Sequence, residues 1–408
     1  MNINDSSQFR GCTSCQICSA VCPVGAIEIR LDRSGFYRPT VDADKCIDCG
    51  VCVKSCYKFD HDIRLTSDFN TKRLYSAWAK DPDIVENTTS GGIADLLARR
   101  LIANGYVCIG VTFDSDNNRA VGRTASTEEE ILSFRGSKYI QAYTADTFKE
   151  LVGKCQNQKF AIFGLPCHIY AIARYLESRK LRANHLLIDL YCHGCPTMNL
   201  WKKYCEYHLP AADNKEFSAN FRSKVRGWGN FDISIQSTAK TEGKLTYISP
   251  KSGDEFFTLF FSDLVLNDAC YDCKCRSTLE YTDIRLGDFW GHKFVSNHTG
   301  VSAVTVCSEH GANIFGEIED DIEFHEQEFT SFLPYQSYGK EYPCDRDLRR
   351  KLLEELADTE TSILCTVKRY KRSLPLSSRA KLALKDAIKL LPPSVVSSIK
   401  KSFYLMRK

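Results

Sequence analysis

Two four-cysteine arrays of identical spacing lie within the first 56 residues, and no other feature restricts the fold as strongly. "GCTSCQICSAVCP" sets Cys12, Cys15, Cys18 and Cys22 at C-x2-C-x2-C-x3-C, followed by Pro23. "KCIDCGVCVKSC" repeats the spacing with Cys46, Cys49, Cys52 and Cys56. Short spacers wrap three thiolates around one iron–sulfur cubane, and the more distant fourth thiolate reaches the other cluster. The spacing therefore predicts one 4Fe-4S cluster on Cys12, Cys15, Cys18 and Cys56, and a second on Cys46, Cys49, Cys52 and Cys22. Structural zinc, the competing use of clustered cysteines, draws on separate C-x-x-C arms instead of two such runs. Between the arrays, "AIEIRL" and "FYRPTV" flank a turn with Asp32, Ser34 and Gly35, which reads as a β-hairpin. One departure from the repeat is Tyr57, which stands where the first array has Pro23.

A module of this kind relays single electrons and has no substrate pocket, so whatever it serves lies downstream. The remaining length, in a chain of 408 residues that is 43% apolar and 26% charged, suits a soluble globular body of one or two further domains. Eight thiols in metal-ligand arrays point to a reducing, cytoplasmic compartment. "MNINDSSQFRG" lacks the apolar core of a signal peptide. No run of about 18 apolar residues reads as a membrane span.

After the second array, "YKFDHDIRLTSDFNTKRLYSAWAKDP" is polar with scattered aromatics and reads as a linker. Ile93, Leu96, Leu97 and Leu101 then recur at helical spacing, with Thr88, Thr89 and Ser90 as candidate caps and Gly105 as a stop. "YVCIGVTF" reads as a buried strand. "FAIFGLPCHIYAIARYLESRK" is a strand, a turn and an amphipathic helix, and "NHLLIDLYCHGCP" is another strand. Strands alternating with helices predict an α/β core. Cys167 and Cys192 follow two of these strands, at the end where α/β sheets bind ligands. Further on, "ACYDCKC" brings Cys270, Cys273 and Cys275 close together. No G-x-G-x-x-G or G-x-x-x-x-G-K-[ST] motif is present, so neither an ordinary Rossmann dinucleotide site nor a P-loop is expected. Ser90, Gly91 and Gly92 at a helix start offer free N–H groups to a phosphate, or act as plain capping.

"TSGGIADLLARRLIANG", "RGSKYIQAY", "GLPCHIYAI", "LIDLYCHGCPTMNLWKKY" and "DCKCRSTLEYTDIRLGDFWG" occur in the order found in one family. The chain resembles the beta subunits of coenzyme F420 hydrogenase/dehydrogenase over about residues 75–292. With its fused two-cluster ferredoxin it is similar to the bacterial branch often encoded among surface-polysaccharide genes. The resemblance implies FAD in the body and a third 4Fe-4S cluster beside it, held by Cys167, Cys192, Cys270 and Cys273. Cys275 is an alternative ligand, and Cys195 is a spare thiol. It further implies flavin contacts from Ser90, Gly91, Gly92, Gly136, Ser137, Lys138 and Tyr139. His168 stands where the family usually has glutamine. His193 and Asp288 are the weak catalytic candidates, as proton relay and substrate orienter, or else as residues that only shape their turns. Cys108, Cys155, Cys205, Cys307, Cys344 and Cys365 are isolated and read as packing residues.

The expected architecture is thus α/β (α+β overall): a two-cluster ferredoxin domain (1–62), a body in two parts (63–150 and 151–345), and a basic helical tail (346–408). From Thr366 onward twelve Lys or Arg face one acid, Asp386, although the whole chain carries only +3. "LSSRAKLALKDAIKLL" is amphipathic, and a basic amphipathic segment of this kind suits peripheral contact with an anionic membrane, docking on a partner, or a simply solvated helix. Nucleic acid is not an expected partner. Two functions fit: an iron–sulfur flavoprotein reductase of an organic, glycan-type substrate supplied by a redox donor, or an electron-transfer subunit serving another enzyme.

Overall fold

A computed structural model describes residues 1–209, 217–237 and 245–405. The last three residues of the tail, 406–408, lie outside the described ones. The expected hairpin is present: β1 (Ile27–Leu31) pairs antiparallel with β2 (Tyr37–Val41). In chain order the body then adds β3 (Arg73–Ala79), β4 (Val107–Asp114), β5 (Arg119–Ala125), β6 (Ala142–Tyr143), β7 (Phe160–Phe163) and β8 (Leu186–Leu190). There follow β9 (Phe217–Ser223), β10 (Asp232–Ser237), β11 (Leu245–Ile248), β12 (Ile284–Asp288), β13 (Ser302–Val306) and β14 (Ile322–Gln327).

One nine-stranded sheet, in the order β14-β3-β13-β12-β8-β7-β4-β5-β6, forms the body. Its centre, β12-β8-β7-β4, is parallel, and antiparallel strands flank it. The central strands are apolar on both faces, as a sheet covered on both sides requires. Val107, Ile109, Phe160, Ile162 and Leu187 pack on one face against helices Ala145–Lys154 and Pro166–Ser178. Cys108, Ala161, Leu186 and Ile188 pack on the other, against helices Ile93–Ala103 and Glu309–Gly316. A separate sheet, β11-β10-β9, shares a core with helices Met198–His208 and Glu255–Phe260. The first two tail helices, Arg346–Ala357 and Ile363–Ser373, complete that core through Leu356, Ile363 and Val367.

Three expectations change. "RLYSAWA", taken as linker, is β3, an inner strand between β14 and β13. Thr88, Thr89 and Ser90 do not cap the helix Ile93–Ala103, because Gly92 is its N-cap and no side chain caps it. Among the isolated cysteines, Cys108, Cys155, Cys205 and Cys307 are buried, but Cys365 is exposed and Cys344 only half-buried. All twenty cysteines are free of disulfides.

The ferredoxin module is seated on the body. Gln16 bonds the carbonyl of Ala142 (2.7 Å) and accepts from the amides of Thr144 and Ala145 (2.8 and 3.0 Å). The hairpin turn inserts Gly35 (φ 79°) so deeply that a Cβ there would lie 2.4 Å from Thr197 Oγ1. Only glycine combines that backbone conformation with that approach. No described helix is long and apolar enough to cross a membrane.

Candidate functional site

The two cysteine arrays fold alike. At the third position of each stand Ser14 (φ 62°) and Asp48 (φ 48°), and at the fifth Gln16 (φ 66°) and Gly50 (φ 75°). Left-handed residues alternating with right-handed ones turn successive amides towards a common anion, the backbone nest used by iron–sulfur sites. Cys12, Cys15, Cys18 and Cys56 line one small cavity of about 20 Å³. Burial pushes the Cys18 thiol well up, and the neighbouring charges of Cys15, Cys12 and Cys56 add to it. Cys52 is raised by burial and by Cys22 and Cys49 beside it. Cys56 thus stands with the first three thiols, and Cys22 with Cys49 and Cys52. Ala26 N–H donates to Cys22 Sγ (3.3 Å) and Asn2 Nδ2 to Cys46 Sγ (3.6 Å).

A third group of thiols gathers where β7 and β8 end. Cys167 is the second residue of helix Pro166–Ser178, whose N-terminus favours a thiolate. Its thiol is pushed well up by burial, then by Cys273, Cys15, Cys192 and Cys270. Burial pushes Cys192 up to about 11 and Cys270 up to about 12, and in each case the charge of Cys273 adds to it. Cys273 alone is lowered, to about 6, chiefly by a hydrogen bond with the Cys275 thiol. Cys195 lies near enough to Cys270 and Cys192, and Cys275 to Cys273, Cys167 and Cys15, for their charges to act on it. Cys167, Cys192, Cys270 and Cys273 are thus neighbours, and Cys195 and Cys275 stand beside the same group. Among the described residues no three of His, Cys, Asp and Glu converge closely enough for a single metal ion. A cubane requires a wider ring, since each thiolate takes a different iron corner.

Arg276, unnoticed in the sequence, fastens the loops that carry this group. Its guanidinium donates to the carbonyls of His193 (2.8 Å), Cys270 (2.8 Å) and Lys340 (2.6 Å) and lies 4.3 Å from the centre of the Tyr342 ring. Tyr57, the departure from the repeat, is the bolt between the ferredoxin module and the same loop. Its hydroxyl accepts from Lys274 N–H (2.8 Å) and donates to the Asp272 carbonyl (3.3 Å). Arg276→Met is expected to release these loops and lower the midpoint of thermal unfolding, read by circular dichroism.

Beyond Cys192 opens a cavity of about 820 Å³, within the range that holds drug-sized ligands. It lies over the C-terminal ends of the parallel strands, lined by Val111 of β4, Phe163, Tyr191 and Asp288, the position where open α/β sheets bind ligands. Of the seven candidate flavin contacts, Ser90, Gly92, Gly136, Ser137, Lys138 and Tyr139 line it. Gly91 lies behind: a Cβ there would meet the Ala77 carbonyl at 2.4 Å, and its N–H is bonded to Ser302 Oγ. Ser90 Oγ is buried without a protein partner, which leaves a polar atom for a ligand to satisfy. Lys138 Nζ is spent on the carbonyls of Ser133, Phe134 and Arg135 (2.9–3.2 Å), and burial pulls its pKa down to about 7. A phosphate-bearing, planar cofactor fits this lining of an unpaired hydroxyl, glycine turns and aromatic rings.

Both catalytic candidates also line the cavity. His193 uses both ring nitrogens, Nε2 with Asp263 Oδ1 (2.7 Å) and Nδ1 with Tyr342 OH (3.2 Å). Asp288 does not bond loop amides through its side chain. It accepts from Arg222 Nη1 and Trp228 Nε1, both at 2.9 Å, and Trp290 stacks on Trp228 with centres 4.6 Å apart. Arg222, Trp228 and Lys400 belong to the lining or its support but left no motif in the sequence. Burial pushes His168 down to about 4 and keeps it neutral.

The model for the coenzyme F420 hydrogenase/dehydrogenase beta subunit matches in two parts, N-terminal over residues 74–148 and C-terminal over 157–331. The chain belongs to this family. A 4Fe-4S dicluster domain matches residues 11–58 and supports two iron–sulfur clusters there. Family relatives are oxidoreductase subunits. The chain is 23% identical over 326 residues to one component of the F(420)H(2) dehydrogenase of Methanosarcina mazei, covering 77% of this chain and 84% of that one. It is 25% identical over 346 residues to coenzyme F420-dependent sulfite reductase of Methanocaldococcus jannaschii, covering 82% of this chain but only about half, 51%, of the relative. Among solved structures, a chain of the F420-reducing NiFe hydrogenase complex from Methanosarcina barkeri is similar at 18% identity and a TM-score of 0.44, covering 74% of this chain and 90% of that one.

Proposed function

We propose that this family member is a cytoplasmic iron–sulfur flavoprotein reductase in which Cys167, Cys192, Cys270 and Cys273 hold a third 4Fe-4S cluster and the 820 Å³ cavity holds FAD. The observation that carries the reading is the continuity of the thiols. Cys52 and Cys18, and then Cys15 and Cys167, lie near enough for their charges to act on one another, and Cys192 lines the cavity. Three such centres supply one-electron transfer, and a flavin supplies the junction between one-electron donors and a two-electron acceptor. Ser90 and the turns at Gly92 and Gly136–Ser137 would hold the cofactor, while the amides and Arg276 around the third set offset thiolate charge. Lys340 and Lys400 line the same cavity without a carboxylate partner among the described residues, which favours an acidic organic substrate.

The test is an anaerobic preparation assayed for iron and flavin together. About twelve iron with one FAD per chain is the expected result; about eight iron without flavin would reject it. A second reading, an electron-transfer subunit serving a partner enzyme, is favoured by the relative whose name makes it one component of a dehydrogenase. Under that reading the isolated chain reduces no organic acceptor unless the partner is added.

A further inference from the structure

The tail helix Leu376–Lys389 buries none of its residues. At about 3.6 residues per turn, Leu376, Ala380, Ala383, Leu384, Ala387 and Leu390 gather on one side, and every one of them is exposed. Leu376 is 81% exposed, Leu384 61% and Leu390 62%. An amphipathic helix of a soluble domain turns its apolar stripe to the core; this one turns it to solvent. Of the half-buried residues, Ser378, Leu382 and Asp386 lie along a different side, and Ile388 borders the stripe. At its C-terminal end Lys251 Nζ reaches the carbonyls of Leu390 and Leu391 (both 3.5 Å), and beyond it Lys400 reaches that of Gly229 (3.5 Å). The outward stripe is thus the side left uncovered by an anchored tail.

Charge selects what covers it. Arg379 flanks one edge of the stripe, and Lys381, Lys385 and Lys389 form the opposite face. Across Thr366–Lys408 Asp386 is the single acid against twelve bases. A second copy would bring an equally basic tail against this one, and like charges repel. An anionic surface with an apolar layer beneath it satisfies both features. We propose that Leu376–Lys389 lies in the interface of an anionic lipid bilayer, with its leucines among the acyl chains and its lysines and arginine at the phosphates. The segment lies beyond the residues matched to the family, and the inference does not depend on the flavin reading.

The test is flotation of the full chain with vesicles of phosphatidylcholine and phosphatidylglycerol, against vesicles of phosphatidylcholine alone. Binding to the anionic vesicles is expected to be at least about tenfold stronger and to weaken with added salt. The double variant Leu384→Glu/Leu390→Glu should abolish flotation while leaving the circular dichroism and thermal unfolding unchanged, since neither residue is buried. Lys381→Gln/Lys385→Gln/Lys389→Gln should remove the preference for phosphatidylglycerol. Absence of flotation with anionic vesicles overturns the proposal, as does flotation unaffected by the leucine variants. A dimer in sedimentation equilibrium that the leucine variants dissociate also overturns it, by putting a second copy on the stripe.

Discussion

Replacing Cys167 with alanine is expected to lower iron from about twelve to about eight atoms per chain while the two N-terminal clusters remain. The reason lies in its neighbours. The charges of Cys273, Cys15, Cys192 and Cys270 all act on the Cys167 thiol. Removing it takes one corner from the third set and the bridging position towards the ferredoxin module at once. Electrons delivered to the N-terminal clusters should then no longer reach a bound flavin on the time scale of turnover. Cys205→Ala is the matched control: that thiol is buried in a different core, so its loss should leave the iron content unaltered and affect only packing. Twelve iron atoms retained in Cys167→Ala would exclude this cysteine as a ligand. Cys275→Ala addresses the alternative. Loss of iron there, with retention in Cys270→Ala, would shift the ligand set by one position.

Asp189→Ala is expected to cost about 3–5 kcal/mol of stability, because it strands Arg285 without its partner in the core. The two residues face each other in the parallel register of β8 and β12, and both are about 2% exposed at the side chain. Arg285 Nε and Nη2 reach the two carboxylate oxygens at 2.7 and 2.6 Å. The same guanidinium donates to the carbonyl of Arg276 (3.1 Å), so the pair also sets the height of the loop that carries Cys273 and Cys275. Chemical denaturation of the variant should therefore show a lower midpoint and, in the same sample, partial loss of iron. Replacing both partners with apolar residues should cost less than the single change, because no unpaired charge remains.

The parts of this molecule that were legible in the sequence are those whose pattern is local. Two cysteine arrays, a hairpin around Gly35 and the helix bearing Ile93, Leu96, Leu97 and Leu101 each carry their signal within about a dozen residues. β3 was not legible, because "RLYSAWA" is flanked by polar chain and becomes a strand only when β13 and β14, over 200 residues later, pair with it. Tyr57 was visible as an irregularity, but its use depends on Lys274 and Asp272, which no spacing rule connects to it. Arg276 was hidden for a similar reason: its partners are backbone carbonyls of three distant loops, and carbonyls leave no trace in a sequence. The grouping of Cys167 and Cys192 with Cys270 and Cys273 came from family resemblance, because no spacing rule links thiols so far apart in the chain.

The seam between the ferredoxin module and the body has a kinetic consequence. Gln16, Gly35 and Tyr57 fix the module from three directions, so it has no hinge on which to swing. Hops between the centres are then set by fixed through-protein distances and should be indifferent to solvent viscosity, unlike carriers that shuttle a tethered domain. The slow, adjustable step moves to the periphery, where Cys49 and the 63%-exposed Ile47 form the outer lip of the second array. There a donor has to collide, align and leave, so throughput should follow donor concentration and ionic strength more than any motion within the chain.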